Sequence, residues 1–231
     1  MLSGTLNFFR LGSPPKGEGS HGEIKFSVTF LIFYVYKITM KKNKFTIINS
    51  TAVPLPIKNI DTDQIIPAQF LKSINSQGFG DKLFFAWRKK PNFIFNDKKY
   101  SGKILVTGYN FGCGSSREHA VWALKDYGFD VIISSYFADI FKNNALNNRL
   151  LPVQVSEKIL KKIFEIIENN PKIKITIDIK NQKVLIPKNN IEESFDIDQY
   201  KKICLMNGYD DIDYLISLKK EIINFETSQQ I

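Results

Sequence analysis

The sequence predicts an α/β domain whose sheet is partly parallel. Short apolar runs bounded by turn residues alternate with longer stretches in which apolar residues recur at helical spacing. Two further apolar runs near residues 173–187 have the pattern of a hairpin. Alternating strands and helices are typical of a parallel sheet covered by helices. With 231 residues, of which 43% are hydrophobic and 24% charged, the chain is long enough to bury a sizeable core.

The predicted elements follow in order along the chain. Strands are predicted at 45–49, 104–107, 131–135 and 150–155, and helices at 117–127, 138–147 and 156–169. The third helix has its apolar residues on one face and Ser156 as its N-cap. The hairpin covers 173–179 and 183–187, and two short helices near 198–206 and 211–223 close the chain. Residues 72–103 form a long excursion with little predicted regular structure, a kind of loop that often carries function.

The first 39 residues differ in character from the rest. Their apolar run at 26–36 is about half of the roughly 20 residues that span a bilayer, and no small-residue cleavage site follows it. Met40 then opens Lys-Lys-Asn-Lys-Phe, which is typical of a bacterial protein start. We therefore predict that 1–39 is a non-core extension from a mis-assigned start, and that 40–231 is one cytoplasmic domain with no membrane segment. The alternative is a real additional strand with a flexible tail.

The formal net charge of +9 raises the question of a nucleic-acid partner. Lysines are spread along the chain, and arginines stand only at positions 10, 88, 117 and 149. A contiguous basic stripe that grips phosphates is missing, so we predict no nucleic-acid partner. One alternative stays open, because aromatic residues at 84, 85, 87, 93 and 95 are interleaved with basic ones, and such patterns stack bases.

The chain has two cysteines, Cys113 and Cys204. They are too few for a disulfide scaffold, a structural zinc site or an iron–sulfur cluster carried by this chain. We therefore predict that the chain supplies no metal site. A reducing cytoplasm is the simple expectation.

The most informative segment joins the strand 104–107 to the helix that follows it. It reads Gly108-Tyr-Asn-Phe-Gly-Cys-Gly-Ser-Ser-Arg-Glu-His-Ala120. Its three glycines let backbone N–H groups approach an anion, and the helix N-terminus adds partial positive charge. Arg117 is repelled by that terminus unless an anion lies nearby, so its position predicts a bound carboxylate or phosphate. The spacing of Ser115 and Glu118 also suits a capping box, in which Ser115 is only a helix cap.

Four segments, in order along the chain, resemble one known family. Phe111-Gly-Cys-Gly-Ser-Ser-Arg-Glu-His-Ala120 resembles the serine–arginine loop of the aconitase superfamily, and its Gly-Cys form is similar to that of 3-isopropylmalate dehydratase small subunits. The other segments are Asn59-Ile-Asp-Thr-Asp-Gln-Ile-Ile-Pro67, Asn144-Ala-Leu-Asn-Asn-Arg-Leu-Leu-Pro152 and Gly208-Tyr-Asp-Asp-Ile-Asp-Tyr-Leu215. Together they extend the resemblance over roughly 45–226.

The resemblance implies a swivelling β/β/α domain that closes over a larger partner. That large subunit is expected to carry a [4Fe–4S] cluster, whereas this chain binds no cofactor. The implied reaction interconverts 2- and 3-isopropylmalate through isopropylmaleate in leucine biosynthesis, with a small dicarboxylate as substrate. The active enzyme is then a heterodimeric hydro-lyase, and the isolated chain is expected to be inactive.

The resemblance also implies roles for individual residues. Ser115 aligns with the serine that acts as the base in alkoxide form, which stacked N–H groups, a helix N-terminus and a guanidinium stabilise. Arg117 is expected to clamp a substrate carboxylate with its planar fork, and Arg88 is a second candidate clamp. Ser116 is a candidate anion donor or a helix cap. Asp63 is a candidate for orienting a cationic group, with a local Asx-turn as the alternative.

Two alternatives to this function stay open. The first is the small subunit of a related hydro-lyase that acts on homoaconitate or a methylmalate. We expect the loop 68–80 to select the side chain of the substrate. The second is a purely structural subunit, in which no residue of this chain takes part in the reaction.

Overall fold

The computed structural model describes residues 44–71 and 78–229. The predicted extension 1–39 lies outside this part of the chain, and so does the middle of the loop 68–80. The expectations for these two segments stay predictions. Within the described residues, no helix has the length and apolar character needed to cross a membrane.

The strands of the described residues form two sheets, an antiparallel one in the order β1-β6-β7-β8 and a parallel one in the order β2-β3-β4-β5. In chain order they are β1 (Ile47–Ser50), β2 (Ala52–Leu55), β3 (Ile104–Thr107), β4 (Val131–Ser134), β5 (Leu151–Gln154), β6 (Ile175–Asp178), β7 (Lys183–Ile186) and β8 (Ile191–Ser194). The predicted strands 104–107, 131–135 and 150–155 are therefore neighbours in the parallel sheet. The predicted hairpin is β6–β7, which is extended by β1 and β8.

Among the described residues, five α-helices lie in connections between strands, and three follow the last strand. In chain order they are α1 (Thr62–Ile65), α2 (Phe85–Arg88), α3 (Glu118–Tyr127), α4 (Asp139–Asn147), α5 (Glu157–Asn169), α6 (Gln199–Asn207), α7 (Asp211–Ser217) and α8 (Lys219–Gln229). The helix predicted at 211–223 is divided, because α7 ends before Leu218 and α8 begins after it. Helix α5 begins where predicted, since the Ser156 side chain accepts a hydrogen bond from the backbone N–H of Ile159.

The parallel sheet is the middle of three layers. Because successive strand residues point to opposite faces, Ile104 and Val131 face one side and Leu105 and Ile132 the other. The first face belongs to a core shared with the antiparallel sheet and α5. The second face belongs to a core shared with α3, α4 and the aromatic loop around α2. The predicted β/β/α architecture is confirmed.

Two strands of the parallel sheet contain proline. Pro54 lies in β2 and Pro152 in β5, which are the two edge strands of the sheet. Proline has no N–H to donate, so an edge tolerates it where a central strand does not. Strand β2 was not predicted from the sequence, because Pro54 interrupts an already short apolar run.

The aromatic residues of the long excursion pack against one another and against the core, with Phe84 buried and Trp87, Phe93 and Phe95 half-buried. The rings of Phe84 and Trp87 stack with centroids 5.3 Å apart, and those of Phe93 and Phe95 stack at 5.2 Å. Phe95 also contacts Phe129 at 5.9 Å. The rings that suggested base stacking therefore contact one another and the core below the parallel sheet.

Candidate active site

The candidate site lies at the carboxyl ends of β2, β3 and β4. The loops 56–61, 108–117 and 135–138 follow these strands. Because the strands are parallel, the three loops meet at one edge of the sheet. Crevices at this edge are the usual ligand sites of open parallel sheets.

The loops after β2 and β3 remain hydrogen-bonded beyond the ends of the strands. Their backbone bonds join Gly108 to Ile57 at 3.1 Å, Asn59 to Tyr109 at 2.8 Å, Gly112 to Ile60 at 2.8 Å, and Thr62 to Cys113 at 3.0 Å. A side-chain bond of 2.9 Å from Asn110 to Asn59 adds to this ladder. The loop after β3 is thus hydrogen-bonded to the loop after β2, which lies far earlier in the chain. Asn59 and Asn110, for example, are 51 residues apart.

Glycine is needed in this loop for close packing as well as for turning the backbone. Gly112 has φ +76°, and a Cβ there would lie 2.2 Å from the ring of Phe141 in α4. Gly114 has φ +85°, but a Cβ there would meet nothing nearer than Asp61 at 3.4 Å. The expectation that the glycines serve anion approach is therefore too simple, since Gly112 serves the contact between the loop and α4.

The first turn of α3 begins later than the capping-box interpretation requires. The N-cap is Arg117, whose backbone is extended and whose side chain makes no capping bond to any described residue. Glu118 instead accepts a hydrogen bond of 2.7 Å from the side chain of Asn148. The interpretation of Ser115 as a helix cap is wrong, and the same holds for Ser116. Their hydroxyl groups are not used in capping.

The residues around the start of α3 line a cavity of about 310 Å³. Ser115, Ser116 and Arg117 lie on its wall, together with Thr62, Asn110 and Asp139. A volume of this size suits a small ligand. The structure therefore brings three of the predicted site residues together in one cavity.

Asp63 forms an ion pair with Arg117, and the Arg117 guanidinium donates a hydrogen bond to the Asp63 carboxylate. The Arg117 side chain is 16% exposed and that of Asp63 is 55% exposed. The capping turn before Ile65 is made by Asp61 and not by Asp63. The Asp61 side chain caps α1 and accepts a bond of 2.7 Å from the backbone N–H of Gln64. A cation at the start of α3 thus has an anion of the same chain beside it. The position of Arg117 does not by itself require an external anion.

Arg88 lies elsewhere. Its Nη1 atom is 3.4 Å from the carbonyl oxygen of Gly80, and its guanidinium lies 5.5 Å from the ring centroid of Tyr127. Tyr127 ends α3, whereas Arg117 precedes the first residue of that helix. Arg88 is not among the described residues that line the cavity. Its role as a second clamp stays a prediction.

Residues of the segment 144–152 form hydrogen bonds with neighbouring helices. Asn148 donates to Glu118 in α3 and accepts a bond of 3.0 Å from the indole of Trp122. Arg149 donates a bond of 2.6 Å to the carbonyl oxygen of Gly208, the C-cap residue of α6. These contacts join the end of α4 to α3 and to the C-terminal helices.

The two cysteines lie apart, Cys113 in the serine–arginine loop and Cys204 in α6. Burial raises the pKa of both thiols, and the negative charge of Asp61 raises that of Cys113 further. A cysteine binds a metal ion as its thiolate, and a raised pKa disfavours that form. In the part of the chain that the structure describes, no group of three or more His, Cys, Asp or Glu side chains could hold a metal ion. These residues do not fit a [4Fe–4S] cluster held by this chain alone.

Sequence reasoning missed several polar residues of the cavity, among them Thr62, Asn110 and Asp139. Thr62 stood inside the recognised 59–67 segment without being singled out. Asn110 has a left-handed backbone, at φ 61°, and the preference of asparagine for that conformation is the one signal in the sequence that could have pointed to it. Asp139 begins α4, where an acidic residue is commonly found for helix-dipole reasons alone.

A β/β/α domain with a Gly-Ser-Ser-Arg loop at the carboxyl edge of its parallel sheet defines the aconitase-type swivelling domains. Residues 42–158 match the Aconitase C-terminal domain family. The chain belongs to this family, and within it to the 3-isopropylmalate dehydratase small subunits.

The similarity extends over almost the whole length of its relatives. The chain is 54% identical over 193 residues to the 3-isopropylmalate dehydratase small subunit of Cytophaga hutchinsonii, covering 81% of this chain and 96% of the relative. It is 55% identical to that of Christiangramia forsetii, covering 81% and 94%. A crystal structure of 3-isopropylmalate dehydratase from Methanocaldococcus jannaschii superposes with a TM-score of 0.57 at 28% identity, covering 78% of this chain and 99% of that chain.

Proposed function

We propose that this chain is the small subunit of a heteromeric hydro-lyase that interconverts 2- and 3-isopropylmalate through isopropylmaleate in leucine biosynthesis. The names of the relatives support this assignment. The observation that carries it is the convergence of Ser115, Ser116 and Arg117 on one cavity, with Asp63 bound to the guanidinium. The partner is a large subunit, and the substrate is a small dicarboxylate.

Ser115 is the base in this proposal. Its alkoxide takes the proton from the carbon beside a carboxylate, the electrons of the C–H bond form the double bond of isopropylmaleate, and the hydroxyl on the neighbouring carbon departs. The N-terminus of α3 and the guanidinium of Arg117 lower the free energy of the alkoxide. The Ser115 hydroxyl is available for this role because it does not cap α3.

Arg117 and Ser116 bind the substrate carboxylates. A guanidinium has five N–H donors in a planar fork, and the bond to Asp63 uses Nη1. The remaining donors of Arg117 stay available for a carboxylate while Asp63 limits the rotation of the fork. Ser116 shares the cavity wall and supplies a further donor.

The large subunit supplies the rest of the reaction chemistry. We expect it to carry the [4Fe–4S] cluster, which serves as the Lewis acid for the departing hydroxyl. Every step assigned to this chain uses its own side chains. Because the Lewis acid belongs to the large subunit, the isolated chain is inactive. The complex works in the cytoplasm.

Reconstitution tests this proposal. The purified chain and the large subunit are assayed alone and mixed, with the ultraviolet absorbance of isopropylmaleate as the readout and 2-isopropylmalate, homoaconitate and a methylmalate as substrates. We expect turnover of 2-isopropylmalate only in the mixture. Turnover by the chain alone, or a preference of the mixture for another substrate, contradicts the proposal.

We propose further that residues 1–39 are not part of the natural protein. Mass spectrometry of the protein from its native cells is expected to find an N-terminus at Met40. Peptides from within residues 1–30 contradict this part of the proposal without affecting the assignment of the reaction.

A further inference from the structure

Thr62 contacts the serine–arginine loop at two points. Its Oγ1 donates a hydrogen bond of 2.8 Å to the carbonyl oxygen of Ser115, which is 53 residues away in sequence. Its backbone N–H donates one of 3.0 Å to the carbonyl oxygen of Cys113. Thr62 is 2% exposed, so water competes little for either bond. A single buried residue therefore holds two carbonyl groups of the loop.

The bond from Thr62 fixes the orientation of the peptide that follows Ser115. The described peptide bonds are all trans, so the Ser116 N–H points to the side opposite the Ser115 carbonyl oxygen. With that carbonyl held by Thr62, the N–H is directed away from Thr62. The same bond limits rotation about ψ of Ser115, and with it the direction of the Ser115 side chain relative to α3.

The support for Thr62 is itself rigid. Asp61 and Gln64 form a reciprocal capping box around it, with bonds of 2.7 Å and 2.9 Å. Threonine is β-branched, so its χ1 has few alternatives. The next residue, Asp63, pairs with Arg117. Two adjacent residues of α1 thus contact the two residues to which the proposed function gives the largest roles.

We propose that Thr62 is a positioning residue for Ser115, and this inference rests on the proposed function. The threonine hydroxyl holds the Ser115–Ser116 peptide so that the Ser115 hydroxyl and the Ser116 N–H keep one orientation in the cavity. Misplacement of a reacting group by about 1 Å can cost about 100-fold in rate. Loss of the hydroxyl therefore lowers kcat while substrate binding, which depends mainly on Arg117, changes little.

The chain offers a matched control. The Oγ1 atom of Thr51 donates a hydrogen bond of 2.5 Å to the carbonyl oxygen of Ser101, 50 residues away. Thr51 precedes β2 and Ser101 precedes β3, so this bond joins the same two segments at the opposite end of the strands. Thr51→Val removes a threonine-to-carbonyl bond of the same type, in more exposed surroundings, at the other end of the strands.

The test compares Thr62→Val, Thr62→Ser and Thr51→Val in the reconstituted enzyme, with hydrogen exchange of the isolated full chain as a readout that needs no activity. We expect Thr62→Val to lower kcat about 10- to 100-fold with KM changed less than about threefold. Thr62→Ser restores kcat, and Thr51→Val leaves it unchanged. Exchange at residues 114–117 rises in Thr62→Val only. If Thr62→Val does not fold, Thr62→Ala takes its place.

Three results overturn the inference. They are an unchanged kcat in Thr62→Val, an equal loss in Thr51→Val, and a failure of Thr62→Ser to recover activity. If the wild-type complex does not turn over 2-isopropylmalate, the proposed function fails separately. Hydrogen exchange then decides the positioning, because a rise at 114–117 supports it and unchanged protection overturns it.

Discussion

The guanidinium of Arg117 donates a hydrogen bond to the carboxylate of Asp63, 54 positions earlier in the chain, and so joins the start of α3 to helix α1. The carboxylate is more than half exposed, and ion pairs in such surroundings contribute about 0–1 kcal/mol to the free energy of unfolding. The pair therefore does little for stability. Its effect is to set the direction of a cation at the wall of the cavity.

Replacing Asp63 by asparagine tests this orientation. We expect Asp63→Asn to lower kcat/KM of the reconstituted enzyme about 10- to 100-fold, the range for losing a hydrogen bond to a charged group. The free energy of unfolding changes by less than about 1 kcal/mol. Glu192→Gln is the control, because it weakens a pair with Lys183 in the antiparallel sheet whose carboxylate is about as exposed as that of Asp63. An equal loss of activity in both variants contradicts the assigned role.

Ser115→Ala removes the proposed base. We expect kcat to fall by about 100- to 10,000-fold, the usual contribution of a general base, while KM and the affinity for the large subunit stay close to wild type. Steady-state kinetics and titration of the two subunits measure these quantities. Ser156→Ala is the control, since it removes the N-cap of α5 and lowers stability by about 1 kcal/mol without changing kcat. Full activity of Ser115→Ala supports the purely structural alternative.

Arg117→Lys keeps the charge and removes the planar fork. We expect KM for 2-isopropylmalate to rise about 10- to 100-fold, because an ammonium cannot bind Asp63 and a substrate carboxylate in the same geometry. Arg149→Lys provides the comparison. Its guanidinium bonds to Gly208 outside the cavity, so this change lowers thermal stability and leaves KM unchanged. A normal KM in Arg117→Lys argues against the clamp.

The pH dependence of alkylation tests the surroundings of Cys113. Burial raises the pKa of this thiol, and the Asp61 carboxylate raises it further. A raised pKa means less thiolate at neutral pH, so iodoacetamide reacts more slowly with Cys113 than with glutathione, and the rate increases as pH rises. In Asp61→Asn the apparent pKa falls but stays above the ordinary value, because burial remains. Mass spectrometry of the Cys113 peptide measures the rate, and an alkylation faster than that of glutathione at pH 7 contradicts this account.

The sequence correctly predicted those strands and helices whose pattern can be read from neighbouring residues alone. Strand β3 has the predicted bounds because its apolar run is clean, and α5 begins at the predicted cap because Ser156 and the helical spacing agree. Strand β8 was missed since its four residues contain a single apolar one, and pairing with β7 maintains it. Strand β2 was missed because proline weakens a strand signal that the edge position tolerates.

The chemistry of the candidate site was readable from one segment of thirteen residues, Gly108 to Ala120, because the serines and the arginine are neighbours in the chain. Its geometry was not readable. Thr62 and Asp63 reach Ser115 and Arg117 only because β2 and β3 pair in parallel and bring two distant loops to one edge of the sheet. Contacts of that kind depend on tertiary packing, which local patterns do not encode. Sequence alone therefore predicted Ser115, Ser116 and Arg117 as site residues, whereas the tertiary structure decided which residues join them in the cavity, which of them touch, and that Arg88 lies apart.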